Sequence, residues 1–360
     1  MARNDLWKTP AHEVLRAGPG FDLSTFDRRS TPGWEGSRKA ADARLAARGE
    51  QMSDLQERLF ANGRTGGTRS VLLVLQGLDT AGKGGIVRHV LGMVDPQGVA
   101  LRSFGVPTAV EAAHNYLWRI RNALPRPGYI GVFDRSHYED VLVVRVEELV
   151  PRAVWEPRYD EINAFEAKVA AAGTVIVKAM LMVSPEEQAA RLQDRLERPD
   201  KHWKYNPSDI DTRQKWPLYQ EAYQAVLDRT SADVAPWYVI PADRKWYARL
   251  AVTELLTRAL TNLDMSWPVA DFDVQTELAR LAASQPGGTG RRPKPSHDSR
   301  PAARSRGRAH AGLPSATRTT PPPRWRCCCP RACPPSGRTT RRRPLPPSSP
   351  SPARPGCGPT

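Results

Sequence analysis

The chain has 360 residues, with 53 Lys or Arg against 38 Asp or Glu and a formal net charge of +15. Residues 286–360 hold 16 Lys or Arg and one acid, Asp298, so residues 1–285 are formally neutral and the basic balance does not mark the body as a nucleic-acid binder. All five cysteines (Cys327, Cys328, Cys329, Cys333 and Cys357) also lie in that tail. The body therefore has no disulfide and suits a reducing compartment.

The N-terminus lacks an apolar signal core, and no apolar run approaches the ~18 residues of a membrane span. A cytoplasmic protein without a membrane partner is expected. The tail contains 18 of the 34 prolines and almost no apolar periodicity. It is expected to be disordered and to hold nucleic acid only without specificity, if at all. Its adjacent cysteines, with no His following at finger spacing, make a poor tetrahedral metal site.

Residues 1–36 read as a loop-like N-terminal extension, with Pro19-Gly20 and Pro32-Gly33 turns. Helical spacing over 37–61 brings Leu45, Met52, Leu55 and Leu59 near one face, and Gly63 and Gly66-Gly67 are expected to end that helix. A β/α alternation follows. Strands are predicted at Val71–Gln76, Val99–Phe104, Tyr129–Phe133, Val175–Val183 and Trp237–Ile240. Helices are predicted at Ile86–Met93, Val110–Ala123, Glu161–Ala172, Pro185–Glu197 and Lys245–Leu260.

This pattern predicts an α/β fold with a parallel five-stranded sheet covered on both faces. Residues 198–218 break the alternation with a basic, aromatic, Pro-punctuated stretch, where such folds insert a mobile lid. The expected organisation is an extension (1–36), an α/β domain (37–265, lid about 191–218), a linker (266–285) and the tail (286–360).

The segment Gly77-Leu78-Asp79-Thr80-Ala81-Gly82-Lys83 matches G-x-x-x-x-G-K between a strand and a helix. Its glycines let backbone N–H groups converge on an anion, and the helix start adds positive potential. Gly77, Gly82, Gly84 and Gly85 are therefore phosphate-binding candidates, and Lys83 reaches the outer phosphates. Gly84 stands where Ser or Thr usually supplies a hydroxyl for Mg²⁺. Asp79, inside the loop, is a candidate replacement ligand.

A second carboxylate is expected nearby. Asp134 fits, because apolar residues run up to it in YIGVFDRSHYEDV, which places it at the C-terminal end of the sheet, where ligands bind. A helix N-cap is the competing role. Arg135 suits bidentate phosphate contact. Glu139 or Asp140 is a candidate to pair with it or to orient the acceptor.

Arg191, Arg195 and Arg198 recur at spacings of four and three, which predicts a shared face leading into the lid. Lys201 and Lys204 extend these cations. Trp203 and Tyr205 are candidates to stack on a base, and equally for a core or hinge role. Arg88, His89, Arg102, Arg119 and Arg121 add a track that suits a polymeric anion better than one nucleotide.

The segments VLQGLDTAGKGGIVRHV, NYLWRIRNALP, GVFDRSHYEDVLVVRV, RPDKHWKYNPSDID and APWYVIPADRKWY resemble the family-2 polyphosphate kinases, from about Val14 to Leu263. The resemblance implies a P-loop kinase (thymidylate-kinase-like) three-layer fold with a helical lid. It implies reversible phosphoryl transfer between inorganic polyphosphate and a nucleoside mono- or diphosphate, with Mg²⁺, in a homo-oligomer. Carried onto this chain, Asp79, Lys83, Asp134 and Arg135 are the loop and strand-end residues of the family pattern, and Arg191, Arg195 and Arg198 fall in its lid. Together with the reading of the residues, this makes Asp79, Lys83, Asp134, Arg135 and Arg195 the catalytic candidates, with Asp79 and Asp134 expected on the metal. Phosphate binding would fall to the P-loop, Arg88, Arg191, Arg198, Lys201 and Lys204. Tyr138, Glu139 and Trp203 are the nucleotide-binding candidates. Many members that accept nucleoside monophosphates carry Asp where this chain has Gly84. An ATP-dependent nucleotide kinase and a non-catalytic polyanion-binding protein remain the alternatives.

Overall fold

The computed structural model describes residues 6–284. Its centre is a parallel sheet of β1 (Ser70–Gln76), β2 (Val99–Ser103), β3 (Ile130–Asp134), β4 (Thr174–Met182) and β5 (Trp237–Pro241), in the order β2-β3-β1-β4-β5. Every residue of central β1 is buried, as its continuous apolar run requires between two helical layers. Successive side chains point to opposite faces. Val71, Leu73 and Leu75 join one core with the helices Arg38–Arg64 and Lys245–Thr261. Leu72 and Val74 join the other with Arg158–Ala171 and Trp216–Thr230. Each fully buried Leu or Val contributes about 1.5–3 kcal/mol, so both layers are strongly held.

Most predicted elements stand within a few residues of the expected bounds, and the exceptions have local causes. The first helix starts on a Ser37 cap and runs through Gly63 to Arg64. A Cβ at Gly63 would lie 2.5 Å from the Gly128 backbone, so this glycine allows a close crossing rather than a stop. The helix expected over Val110–Ala123 is two short pieces, Ala109–Ala112 and Leu117–Arg121. Asn115 Oδ1 accepts the Leu117 N–H at 3.0 Å and restarts the chain there.

The N-terminal segment is not an appendage. Residues 6–36 bury Trp7, Leu15, Leu23 and Trp34. The Ala17 N–H donates to Trp237 O at 2.9 Å and Val239 N–H to Leu15 O at 2.8 Å, which covers the free edge of β5. Two longer helices fall where none was expected, Trp216–Thr230 and, within the supposed linker, Val274–Ala283, besides single turns at Ala11–Val14, Val143–Val146 and Arg152–Trp155. The expected disordered tail at 286–360 lies outside the described residues. No helix among the described residues is long and apolar enough to cross a membrane.

Candidate active site

β1 leaves the sheet at Gln76, and the chain turns at Gly77 (φ 144°), where a Cβ would sit 2.5 Å from Leu181 O. Thr80 and Gly82 take left-handed conformations, and the helix Lys83–His89 begins at once. The Lys83 amine is nearly buried and donates to Gly77 O at 2.6 Å, closing the loop on itself.

The loop is also held from outside. Arg191 donates to Thr80 O (2.9 Å), Ala81 O (3.2 Å), Ala242 O (2.6 Å) and Asp243 O (3.0 Å), and to Glu187 at 2.8 Å. Gln188 Nε2 donates to Asp79 O at 3.2 Å. Arg191, expected to bind phosphate, has its guanidinium engaged by backbone carbonyls and braces the loop.

The facing wall is the end of β3. Register places Asp134 beside Leu75, two residues before the loop begins. Arg135 has φ 64°, a left-handed conformation that costs a non-glycine residue about 1–3 kcal/mol. In it, Arg135 Nη2 donates to Asp79 Oδ1 at 2.8 Å. Burial would raise the Asp79 pKa, but the charges of Lys83 and Arg135 outweigh it and hold the carboxyl below its ordinary range. Glu139 goes the other way, because burial raises it and Arg135 and Lys83 only partly offset that. The Gln76 amide lies between Ser136 Oγ and Glu139 Oε1, 3.0 Å from each when its NH₂ faces the carboxylate.

Glu139 and Asp140 border the smaller of two cavities but take different partners. Asp140 accepts from Arg158 at 3.0 Å, while Glu139 faces Arg135 and Asp79. Tyr138, expected to touch nucleotide, is fully buried, and its hydroxyl donates to Glu166 at 2.9 Å. The 3-10 turn His137–Asp140 directs consecutive side chains to different sides, and that of Tyr138 enters the core.

Two cavities meet here. The larger, about 740 Å³, is bordered by the P-loop, Asp79, Asp134 and Arg135, and by Arg88, Arg195, Lys201 and Lys204. Trp203 stands on its rim, 78 % exposed, with Lys204 Nζ 4.8 Å from its ring centroid. Lys245 and Arg249 also line it, a pair the sequence reading passed over. Their i, i+4 spacing on the helix that follows β5 was the available signal. Arg195 is tied to Lys204 O (2.9 Å) and Asp209 (3.3 Å), so helix and lid are joined.

Arg198 does not share the face. The helix ends at Glu197, and Arg198, in an extended conformation before Pro199, pairs with Asp200 at 2.9 Å. Arg102 binds Glu111, Arg119 donates to Gly105 O and Arg121 lies against Phe165, so these three do not border the larger cavity. The cation track instead runs past Arg88 and His89 to Lys245 and Arg249.

The second cavity, about 510 Å³, shares Asp79, Phe104, Arg135, Asn206 and Asp209 with the first. Its other walls include Leu142, Tyr219, Glu139 and Glu147. Tyr219 Oη donates to Glu147 at 3.3 Å, and Lys215 also bonds that carboxylate.

A phosphate loop after the central strand, an Asp-Arg pair closing the next strand and an arginine-bearing helix leading into a lid define a P-loop kinase-like phosphotransferase. The chain belongs to the Polyphosphate kinase 2 family, whose profile matches residues 35–267. It is 46 % identical to the AMP/ADP-polyphosphate phosphotransferase of Meiothermus ruber over 248 residues, which is 69 % of this chain and 91 % of that protein. It is 40 % identical to the ADP-polyphosphate phosphotransferase of Rhodopseudomonas palustris over 281 residues, 74 % of this chain and 96 % of that one. The crystal structure of Polyphosphate Kinase 2 from Arthrobacter aurescens TC1 superposes with a TM-score of 0.75 at 49 % identity, covering 77 % of this chain and 98 % of that one.

Proposed function

We propose that the protein transfers a terminal phosphoryl group, reversibly, between inorganic polyphosphate and a nucleoside mono- or diphosphate. The observation that carries this reading is the pair of cavities of unlike lining that share Asp79 and Arg135. Polyphosphate lies along the basic cavity with its end against Lys83 and the loop amides. The nucleotide lies in the second cavity with its terminal phosphate toward Arg135.

A terminal oxygen of the nucleotide attacks the last phosphorus of the polymer. One P–O bond forms, the bridging P–O bond breaks, and the shortened polymer leaves with the bonding electrons. The attacking oxygen is already ionised near neutral pH, so no strong base is needed. Catalysis is positioning and charge neutralisation by Lys83, Arg135 and Arg195.

The donor set fits Mg²⁺. Asp79 is held ionised, Asp134 borders the same cavity, and this hard cation takes one or two carboxylates beside phosphate oxygens. No cluster of three or more His, Cys, Asp or Glu suited to a metal occurs among the described residues, so phosphates and water would complete the shell. When bound, the ion would neutralise phosphate charge. A cytoplasmic location belongs to the same proposal, supported by a body without cysteine. So does self-association, for which the exposed Phe272, Val274, Leu278 and Leu281 supply apolar surface.

The test is ADP or AMP with polyphosphate and Mg²⁺ and no other donor. Formation of ATP or ADP is expected. Turnover only with ATP as donor would make the protein an ATP-dependent nucleotide kinase instead.

A further inference from the structure

Behind the turn that ends β3, outside the lining of both cavities, lies a buried ionic cluster that the transfer reaction leaves unused. Lys178, within β4, is 0 % exposed, and Glu166, on the helix Arg158–Ala171, is 2 % exposed. Lys178 Nζ donates to Glu166 Oε2 at 2.6 Å, to Tyr138 Oη at 2.8 Å and to Thr230 O at 2.7 Å. Glu166 Oε1 accepts the Tyr138 hydroxyl at 2.9 Å and lies 3.1 Å from His137 Nε2. Burial and the charge of Glu166 push the Tyr138 phenol well above its ordinary range, so it stays protonated and donates.

A buried ion pair is weak evidence of stability, since well-packed apolar groups of the same volume often do as well or better. The partners of this pair are more informative. His137 and Tyr138 are consecutive residues of the turn that carries Arg135 before them and Glu139 after them. Ser136 is also buried, and its Oγ accepts from Tyr138 N–H at 3.2 Å. The left-handed φ of Arg135 persists only where the surroundings over-determine it. Three locked residues directly after it provide that constraint from one side, and its own N–H, donated to Leu75 O at 3.1 Å, provides it from the other.

We infer that Glu166 and Lys178 are positioning residues for phosphoryl transfer: by fixing His137 and Tyr138 they hold Arg135 and Glu139 at the boundary of the two cavities. The inference rests on the function proposed above. It predicts that the network can be removed without unfolding the protein yet not without slowing the reaction.

The experiment uses the full chain carrying Glu166→Gln with Lys178→Met, which keeps volume and leaves no lone buried charge. A folded protein is expected, by circular dichroism and melting temperature, with kcat lowered about tenfold or more, because ångström-scale misplacement of a catalytic group costs up to about a hundredfold. KM for polyphosphate should stay within about twofold, since Lys83 and Lys201 are untouched. In an Arg135→Lys background the same pair should cause little further loss, as residues acting through one group are not additive.

A folded paired variant with wild-type kcat would overturn the inference, and so would losses that multiply with Arg135→Lys. Should the paired variant fail to fold, Tyr138→Phe carries the same comparison, because it removes one hydroxyl at constant shape. Failure of the proposed donor appears in the wild-type arm, and failure of the inference only in the ratio of variant to wild type, read with whichever donor the wild type uses.

Discussion

The two cavities meeting at Asp79 and Arg135 differ in what they present. The larger gathers cations from four separate segments: Lys83 and Arg88 after β1, Arg195 on the arginine-bearing helix, Lys201 and Lys204 in the lid, and Lys245 and Arg249 after β5. The smaller has aromatic and aliphatic walls interrupted by carboxylates such as Glu139 and Glu147. A linear polymer with charge at every phosphate calls for the first kind of surface, and a nucleotide, with an apolar base and hydroxyl donors on its ribose, for the second. The contrast shows that the formal neutrality of residues 1–285 conceals a strong local separation of charge.

The most severe way to break the comparison is at its seam. Lys83→Met removes the loop's amine and should lower kcat about a thousandfold, the upper range for one preorganised charge-stabilising donor. ADP affinity, measured by calorimetry, should change by no more than about twofold, since the nucleotide is placed in the other cavity. Equal loss of ADP binding would merge the two sites into one. Asp134→Asn and Asp79→Asn come next, each expected to reduce kcat about a hundredfold while circular dichroism remains that of the wild type. Wild-type turnover in Asp79→Asn would remove the carboxylate pair from the metal assignment.

A milder perturbation sharpens the contrast. Lys201→Gln combined with Lys245→Gln should raise KM for polyphosphate about three- to tenfold and flatten its dependence on salt, because each lost phosphate contact releases fewer counterions. KM for ADP should hold. If both constants rise together, the basic wall serves the nucleotide as well.

Much of this site was legible in the sequence because it lies in contiguous segments. The P-loop follows an apolar strand, Asp134 and Arg135 close another, and local spacing was enough to put both at the C-terminal end of a parallel sheet. What escaped depends on tertiary partners. Arg191 and Arg198 look equivalent in sequence, yet one faces the carbonyls of the P-loop and the next strand's exit, and the other falls past the helix end. Tyr138 sits among five polar neighbours, and only its distance to Glu166 and Lys178, 28 and 40 residues away, reveals a core role. The N-terminal segment reads as loop because its structure is irregular, while its buried Trp7 and Trp34 pack edge to face at 5.5 Å. The helix Trp216–Thr230 was hidden by the Pro at its second position, which suits a helix start as well as a break.

The smallest predicted effect concerns Glu139 and has opposite signs for stability and rate. Its carboxyl is raised in the folded protein, first by burial, against an ordinary value of about 4.3 in the unfolded chain. The folded state thus binds this proton more tightly. That contribution to stability is fully present below pH ~4.3 and is lost as pH rises through the folded value. Glu139→Gln, which cannot ionise, should therefore melt about 2 °C above the wild type at pH 8, a shift matching a fraction of a kcal/mol in a domain of this size. The gain should vanish near pH 4.5. Melting curves of the two proteins at both pH values, without nucleotide or metal, read the difference directly. The same substitution should lower kcat several-fold, because the carboxylate whose burial is unfavourable is one that helps hold Arg135 against Asp79. A Gln variant equally stable at both pH values would show that Glu139 is solvated like any surface acid, and its carboxylate would then no longer count as a buried charge beside Asp79 and Arg135.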